Sequence, residues 1–272
     1  MKNSTIVLIV IMAFMALLIT AFMIFLLVDN NTFSFVFNSK TTLLLDEVYE
    51  ENVSKIDVDV ISADIRIKEA EDNTLRVVAY GKEKETIEST FENDTLSIRR
   101  TGNQFCFGFC FGKEEITIYM PRDNKVDMVL KTVSGDIEIA SFLYSNVDAK
   151  TTSGDIKVEE VSNVKLKSVS GDIYLEKGSS VEVASTSGDL RLNNVLTSIN
   201  AKSVSGDIRI EKLELEMDST IHTTSGDVTI GDSNDLYIET NTLSGDINIS
   251  NNNRYANMTL KIETTSGDIR VK

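Results

Sequence analysis

The tripeptide Ser-Gly-Asp occurs eight times in this chain, all from residue 134 onward. The copies are Ser134-Gly135-Asp136, Ser153-Gly154-Asp155, Ser170-Gly171-Asp172, Ser187-Gly188-Asp189, Ser205-Gly206-Asp207, Ser225-Gly226-Asp227, Ser244-Gly245-Asp246 and Ser266-Gly267-Asp268. From serine to serine the steps are 19, 17, 17, 18, 20, 19 and 22 residues. A short period that tolerates small insertions is the mark of a solenoid, in which each repeat is one coil laid on the last.

The residues around each copy say what the coil is made of. After the Asp comes apolar, variable, apolar: Ile137-Glu138-Ile139, Ile156-Lys157-Val158, Ile173-Tyr174-Leu175, Leu190-Arg191-Leu192 and Ile208-Arg209-Ile210. Four residues before the Ser stand Leu130, Ala149, Leu166, Val183, Ala201, Ile221, Thr240 and Ile262, and two before it always a hydroxyl, from Thr132 to Thr264. Period two is a strand with one face in and one out, and apolar residues do not recur at helical spacing. The sequence therefore predicts an all-β, single-stranded parallel β-solenoid (β-helix) of about eight to nine coils.

The Ser-Gly-Asp is expected at a corner. Glycine takes backbone angles that other residues resist, and Asp accepts hydrogen bonds from nearby N–H groups. The serine is expected to point inward with the upstream hydroxyl, so that hydroxyls of successive coils bond one another. Stacking would set the aspartates in file, and Lys157, Arg191, Arg209 and Arg270, two residues along, are placed to offset their repulsion. A calcium ladder is the rival explanation, but the period is twice that of calcium-binding β-rolls and supplies one Asp per turn to an ion wanting six to eight oxygens. No metal and no cofactor is called for.

Upstream, "KIDVDVISADIRIKEA" carries the coil pattern with Ser62-Ala63-Asp64 at the corner. Strand candidates follow at 75–80, 86–91, 95–100 and 115–120, the middle two flanking "ENDT" as a hairpin. Residues 46–125 read as an N-terminal β cap with a first degenerate coil, and 126–272 as the repeat solenoid. Caps matter because an open terminal coil pairs with whatever meets it. The last coil, "TSGDIRVK", is followed by no cap, so its edge is expected to be guarded by Arg270 and Lys272 or covered by a partner. In "GNQFCFGFC", Cys106 and Cys110 are too far apart for a disulfide if extended, but a bend at Gly108 would let them close a small loop; two free thiols in an aromatic loop are the alternative.

The first residues address the protein. Ile6 to Val28 is an uninterrupted uncharged apolar stretch of 23 residues, enough to cross a hydrocarbon core of about 30 Å. "LLVDNNTFSF" after it offers no small-residue cleavage site, which favours an uncleaved anchor over a cleaved signal peptide. With Lys2 before the span and Asp29 after it, the expected order is a cytoplasmic N-terminus (1–5), a transmembrane helix in the lipid bilayer (6–28), a linker (29–45) and an extracytoplasmic remainder. Phe33, Phe35 and Phe37 in that linker fit either a membrane surface or the cap. Lys2 is the one charge in the first 28 residues, so removing it from −15 leaves −16 on the rest. Such an acidic chain is no partner for nucleic acid.

A strand ending in proline, "EITIYMP" with Pro121, then serial SGD coils over roughly residues 50–272 resembles the bacterial "putative adhesin" family of SGD-repeat β-solenoids. This is a domain of unknown function that includes LiaG-like proteins of the Gram-positive cell envelope. The resemblance implies a cell-envelope protein, in some relatives tied to envelope-stress or antimicrobial-peptide response, and it transfers no catalytic residue.

Three functions compete. The first is a non-enzymatic, adhesin-like binding module presenting ladders to cell-wall polymer, a cationic peptide or another envelope protein. Its candidate stripe is the row three residues before each Ser: Lys131, Lys150, Lys167, Ala184, Lys202 and His222. The same lysines would also serve merely to keep an exposed sheet soluble. The second is a scaffold that docks another protein, or itself, through the uncapped last coil. The third, a polysaccharide-active enzyme, needs paired carboxylates in one cleft, whereas the acids here are spread coil by coil.

Overall fold

A computed structural model describes residues 41–72, 74–82, 86–101 and 114–272. The candidate span 6–28, Phe33, Phe35, Phe37, and Cys106 with Cys110 lie outside the described residues. Among the described residues there is no helix, and so none long and apolar enough to cross a membrane.

Each coil has three sides. The strand before the corner and the strand after it form two parallel sheets, here the upstream and downstream sheets. In the upstream sheet Asp127–Lys131 pairs with the end of Phe142–Lys150, followed by the ends of Ile156–Lys167, Ile173–Ser185 and Leu190–Ser203 and then Ser219–Thr223. In the downstream sheet Ile137–Ile139 leads through Ile156, Ile173 and Leu190 to Ile208–Leu213 and Val228–Ser233. A short third ladder, which the sequence pattern did not reveal, joins Glu160-Val161, Lys177-Gly178, Asn194-Val195, Lys212-Leu213 and Asp232-Ser233. Inward residues stack in columns: Ile137, Ile156, Ile173, Leu190, Ile208, Val228 and Ile269 are each at most 1 % exposed. Burying such a side chain contributes about 1.5–3 kcal/mol, so the columns hold the layers together.

The corner differs from expectation in three ways. None of its glycines takes a left-handed backbone; what demands glycine is space. A Cβ on Gly171 would sit 1.8 Å from the carbonyl oxygen of Gly154, and one on Gly154 equally close to that of Gly135. Second, the serine of the motif is exposed, because the alternation breaks at the corner. Third, the buried hydroxyl two residues upstream does not bond its counterpart. Thr151 Oγ1 accepts from Gly154 N–H (3.1 Å) and donates to Gly135 O in the layer before (3.2 Å), and Thr132 does the same with Gly135 and Ala63. The aspartates form the real ladder. Asp136 Oδ1 accepts the backbone N–H of Asp155, Asp155 that of Asp172, and Asp172 that of Asp189, at 2.8–2.9 Å.

The order of layers departs from the order of the chain at both ends. The last coil, Thr259–Thr264 with Ile269–Val271, pairs on one side with Ser219–Thr223 and Val228–Ser233. On its other side it pairs with Tyr237–Thr242 and Ile247–Ile249. The layer of Ser266 is thus inserted beneath that of Ser244, which ends the stack; the chain's last coil is not the open one. The first coil is inserted likewise: Lys55–Asp59 and Asp64–Glu69 lie between Thr95–Thr101 with Glu115–Met120 and the layer of Ser134. In the outer N-terminal layer Glu115 stands in register with Asp64, and Asp64 N–H donates to Glu114 O (2.9 Å). Counting these two, the stack has ten layers among the described residues, about 45 Å at strand spacing.

Antiparallel strands cover the N-terminal end. Leu75–Lys82 pairs with Glu115–Met120, and Thr41–Tyr49 pairs with Leu75–Lys82. Residues 41–45, expected in a linker, are strand; a bulge between Leu43 and Leu45 absorbs the run of leucines that hides the alternation. Thr86–Glu92 returns as Thr95–Thr101 through Asn93-Asp94, both at positive φ (50° and 57°), the two-residue turn that matches strand twist.

Candidate functional site

The outward side chains of the upstream sheet stand in three rows along the rod. Three residues before each corner serine the register aligns Lys131, Lys150, Lys167, Ala184, Lys202 and His222 on adjacent layers. Two residues earlier come Val129, Asp148, Lys165, Glu182, Asn200 and Thr220, and two earlier again Asp127, Asn146, Asn163, Ser180, Ser198 and Asp218. A groove of about 720 Å³ follows the last two rows across seven layers, from Lys55 to Met217.

The rows are cross-braced. Asn146 donates to Asp127 and Asn163 donates to Asn146, both at 2.7 Å, and the hydroxyls of Ser180 and Ser198 lie 3.1 Å apart. Lys150 pairs with Asp148 at 3.0 Å, and Glu182 takes both Lys165 (2.8 Å) and Lys167 (3.4 Å). The hydrogen bond from Lys165 lowers the pKa of Glu182, and the same bond raises that of Lys165. Both partners are solvated, so each pair adds little to stability. Lys131 and Lys202 make no ion pair among the described residues. These rows hold five lysines against Asp127, Asp148, Glu182 and Asp218, whereas the chain as a whole has 27 basic and 42 acidic residues. The face is therefore close to neutral with two free ammonium groups, less cationic than the lysine row alone suggests.

Sequence reasoning placed the lysine row correctly on one face but missed the anions that interleave with it. Lys150 pairs within its own strand, whereas Lys165 meets Glu182 directly and Lys167 meets it diagonally across layers, which needs the register. The small polar residues seven before each Ser were available in the alignment and mark the groove.

On the downstream sheet the cations behave unequally. Arg191 reaches Asp189 (3.4 Å) and Asp172 (4.0 Å), and Arg270 reaches Asp268 and Asp227. Lys157 turns instead to Glu138 (3.7 Å) and Arg209 to Glu211 (2.7 Å), because a nearer outward glutamate competes. The aspartate file is held mainly by the N–H groups its Oδ1 atoms accept. Among the described residues no group of three His, Cys, Asp or Glu side chains is arranged to hold a metal.

The family model described as Toastrack DUF4097 matches residues 53–272. This chain belongs to the Toastrack family. Among solved structures, a "putative adhesin" from Bacteroides fragilis NCTC 9343 is similar over 86 % of this chain and 98 % of its own, with 16 % identity and a TM-score of 0.55. That similarity shows a shared fold. A "putative cell adhesion protein" from Clostridium sporogenes ATCC 15579 covers 86 % of this chain and 99 % of its own at 14 % identity and a TM-score of 0.33. A "putative lipid binding protein" from Parabacteroides distasonis ATCC 8503 covers 84 % and 97 % at 13 % identity and 0.39. No curated protein matches the chain.

Proposed function

We propose that this Toastrack chain is a non-enzymatic binding module of the cell envelope. Residues 6–28 hold it in the bilayer with the N-terminus cytoplasmic and the rod outside, and the outer face of the upstream sheet takes an extended, anionic wall polymer along the rod axis. The observation that carries the reading is the in-register row of Lys131, Lys150, Lys167 and Lys202 beside a groove with amide and hydroxyl ladders. A surface that repeats at every layer suits a ligand that repeats, because each layer adds one more weak contact. Solved relatives bearing adhesion names agree with a binding role. A part in envelope-stress or antimicrobial-peptide response is the finer reading; the net charge of −15 favours attraction of cationic peptides as a second mode.

The test is co-sedimentation of the full chain, held in detergent, with purified cell walls carrying or stripped of their anionic polymers, across a salt series. Retention should need the polymers and fade with salt. Lys150→Glu and Lys167→Glu should each weaken it about two- to fivefold, the scale of an exposed ion pair. Equal retention on stripped walls would sink the polymer reading.

A further inference from the structure

The C-terminal end of the stack is an unfinished layer. Ile247 occupies the position at which Ile137, Ile156, Ile173, Leu190, Ile208, Val228 and Ile269 are at most 1 % exposed, yet it is 46 % exposed. Leu243 is 81 % exposed, against 47 %, 45 % and 47 % for Val133, Val169 and Val204 at the same place in other layers, and Tyr255 is 94 % exposed. Tyr237–Thr242 and Ile247–Ile249 each pair with one strand, and among the described residues nothing pairs with their other side.

The backbone there points outward in a known pattern. In inner layers the N–H two residues before the serine donates to the next layer, as Thr132 does to Lys150 O (3.0 Å) and Thr151 to Lys167 O (2.9 Å). After the corner, Ile137 N–H donates to Asp155 O and Ile156 N–H to Asp172 O. By the same alternation the N–H groups of Thr240, Thr242, Ile247 and Ile249 face away from the stack. The start of the edge is blunted: the Asn252 side chain donates to Ile238 O (2.8 Å) and accepts from Ile238 N–H (3.0 Å), and Asn253 N–H donates to Leu236 O (3.0 Å). From Thr240 onward the edge is open.

We propose that this edge, from Thr240 to Ile249 with Leu243, pairs with the same edge of a second copy, tail to tail. The other end of the rod limits the choice. There the outer layer is already paired with the antiparallel strands Leu75–Lys82 and Thr86–Glu92, with Thr41–Tyr49 beyond the first, so the parallel edge that a head-to-tail copy would continue is occupied. What remains between copies is the isologous contact, a two-fold in which the edge strands run antiparallel to their partners. It joins the open N–H and C=O groups and returns Ile247 and Leu243 to apolar cover. Two chains of charge −15 repel, so salt should strengthen this contact, the opposite of its effect on wall binding. The two proposals can therefore fail separately.

The experiment is the mass of the full chain in detergent by light scattering, over a concentration and salt series, with amide exchange measured alongside. A dimer is expected that tightens with salt, with the amides of Thr240, Thr242, Ile247 and Ile249 protected in proportion to it. Thr240→Pro removes an outward N–H at a place where an edge strand tolerates proline, and Leu243→Lys charges an exposed side chain. Each should weaken dimerisation at least about tenfold. Should the proline variant fail to fold, the lysine variant decides alone. A monomer at every concentration, or a dimer that both folded variants leave intact, would overturn the proposal.

Discussion

The two ends of this rod solve the same problem differently. At both, the terminal coil of the chain is tucked inward and its sequence neighbour lies outside. At the N-terminal end antiparallel strands then cover the outer layer. At the C-terminal end Asn252 and Asn253 guard the first part of the edge, and among the described residues the rest stands open. The difference teaches that interleaving and capping are separate devices: the first protects the chain's own ends, the second protects the sheet.

The largest effect should come from cutting each end. Deleting residues 265–272 removes Ile269 and Val271, 0 % and 1 % exposed, from between two layers. Those two side chains alone account for about 3–6 kcal/mol, and the layer of Ser244 should detach. Excising residues 41–49 strips an outer strand whose apolar residues are exposed or half-buried and should cost less than half as much. Urea unfolding followed by circular dichroism compares them; equal losses would mean that the inserted coil is no more integral than the outermost strand.

The next effect sharpens the comparison at the corner. Gly171→Ala drives a methyl to within 1.8 Å of a backbone oxygen and should cost about 3 kcal/mol or more, the upper range of overpacking. Ala63→Gly, in the inserted N-terminal coil, should cost about 1–2 kcal/mol for the lost methyl and the freer unfolded chain. If both cost the same, stacking against a glycine is not what fixes the motif.

Much of this was legible in the sequence. The phase of the eight copies gave the layers, and period two gave the inward columns and the lysine row. The order of layers was not legible, because coils that repeat one motif offer nearly identical interfaces and any could stack on any other. The hint lay in the connections. A 22-residue step separates Ser244 from Ser266, and its extra residues, around Asn252 and Tyr255, carry the chain back to the gap it must enter. Likewise Leu75–Lys82 and Thr86–Glu92 come between the first coil and Thr95–Thr101, which lies outside it. The role of glycine was misread because a corner suggests unusual dihedrals, whereas the constraint comes from the layer beneath.

The smallest effect concerns acid. Asp46 is held below its ordinary value of 3.8 by the Arg76 hydrogen bond, and Glu47 below 4.5 by bonds from Ser89 and Tyr49. A carboxylate whose folded pKa is depressed stabilises the fold above its unfolded value and ceases to as the pH falls through the folded one. Amide protection in Thr41–Tyr49, with the intrinsic pH dependence of exchange divided out, should therefore fall below about pH 4, and Arg76→Gln should remove the Asp46 share of that fall. A protection profile of this strand that ignores pH would show that the cap rests on its backbone pairing alone.

The insertion of the first and last coils also bears on how such a protein can change length over generations. Duplicating or losing a coil at either terminus would break an insertion and leave a gap inside the stack. Doing so in the run from Ser153 to Ser205, where consecutive coils pair in simple succession, disturbs neither end. A lineage of such rods can lengthen or shorten from its middle, while both termini are inherited as fixed units.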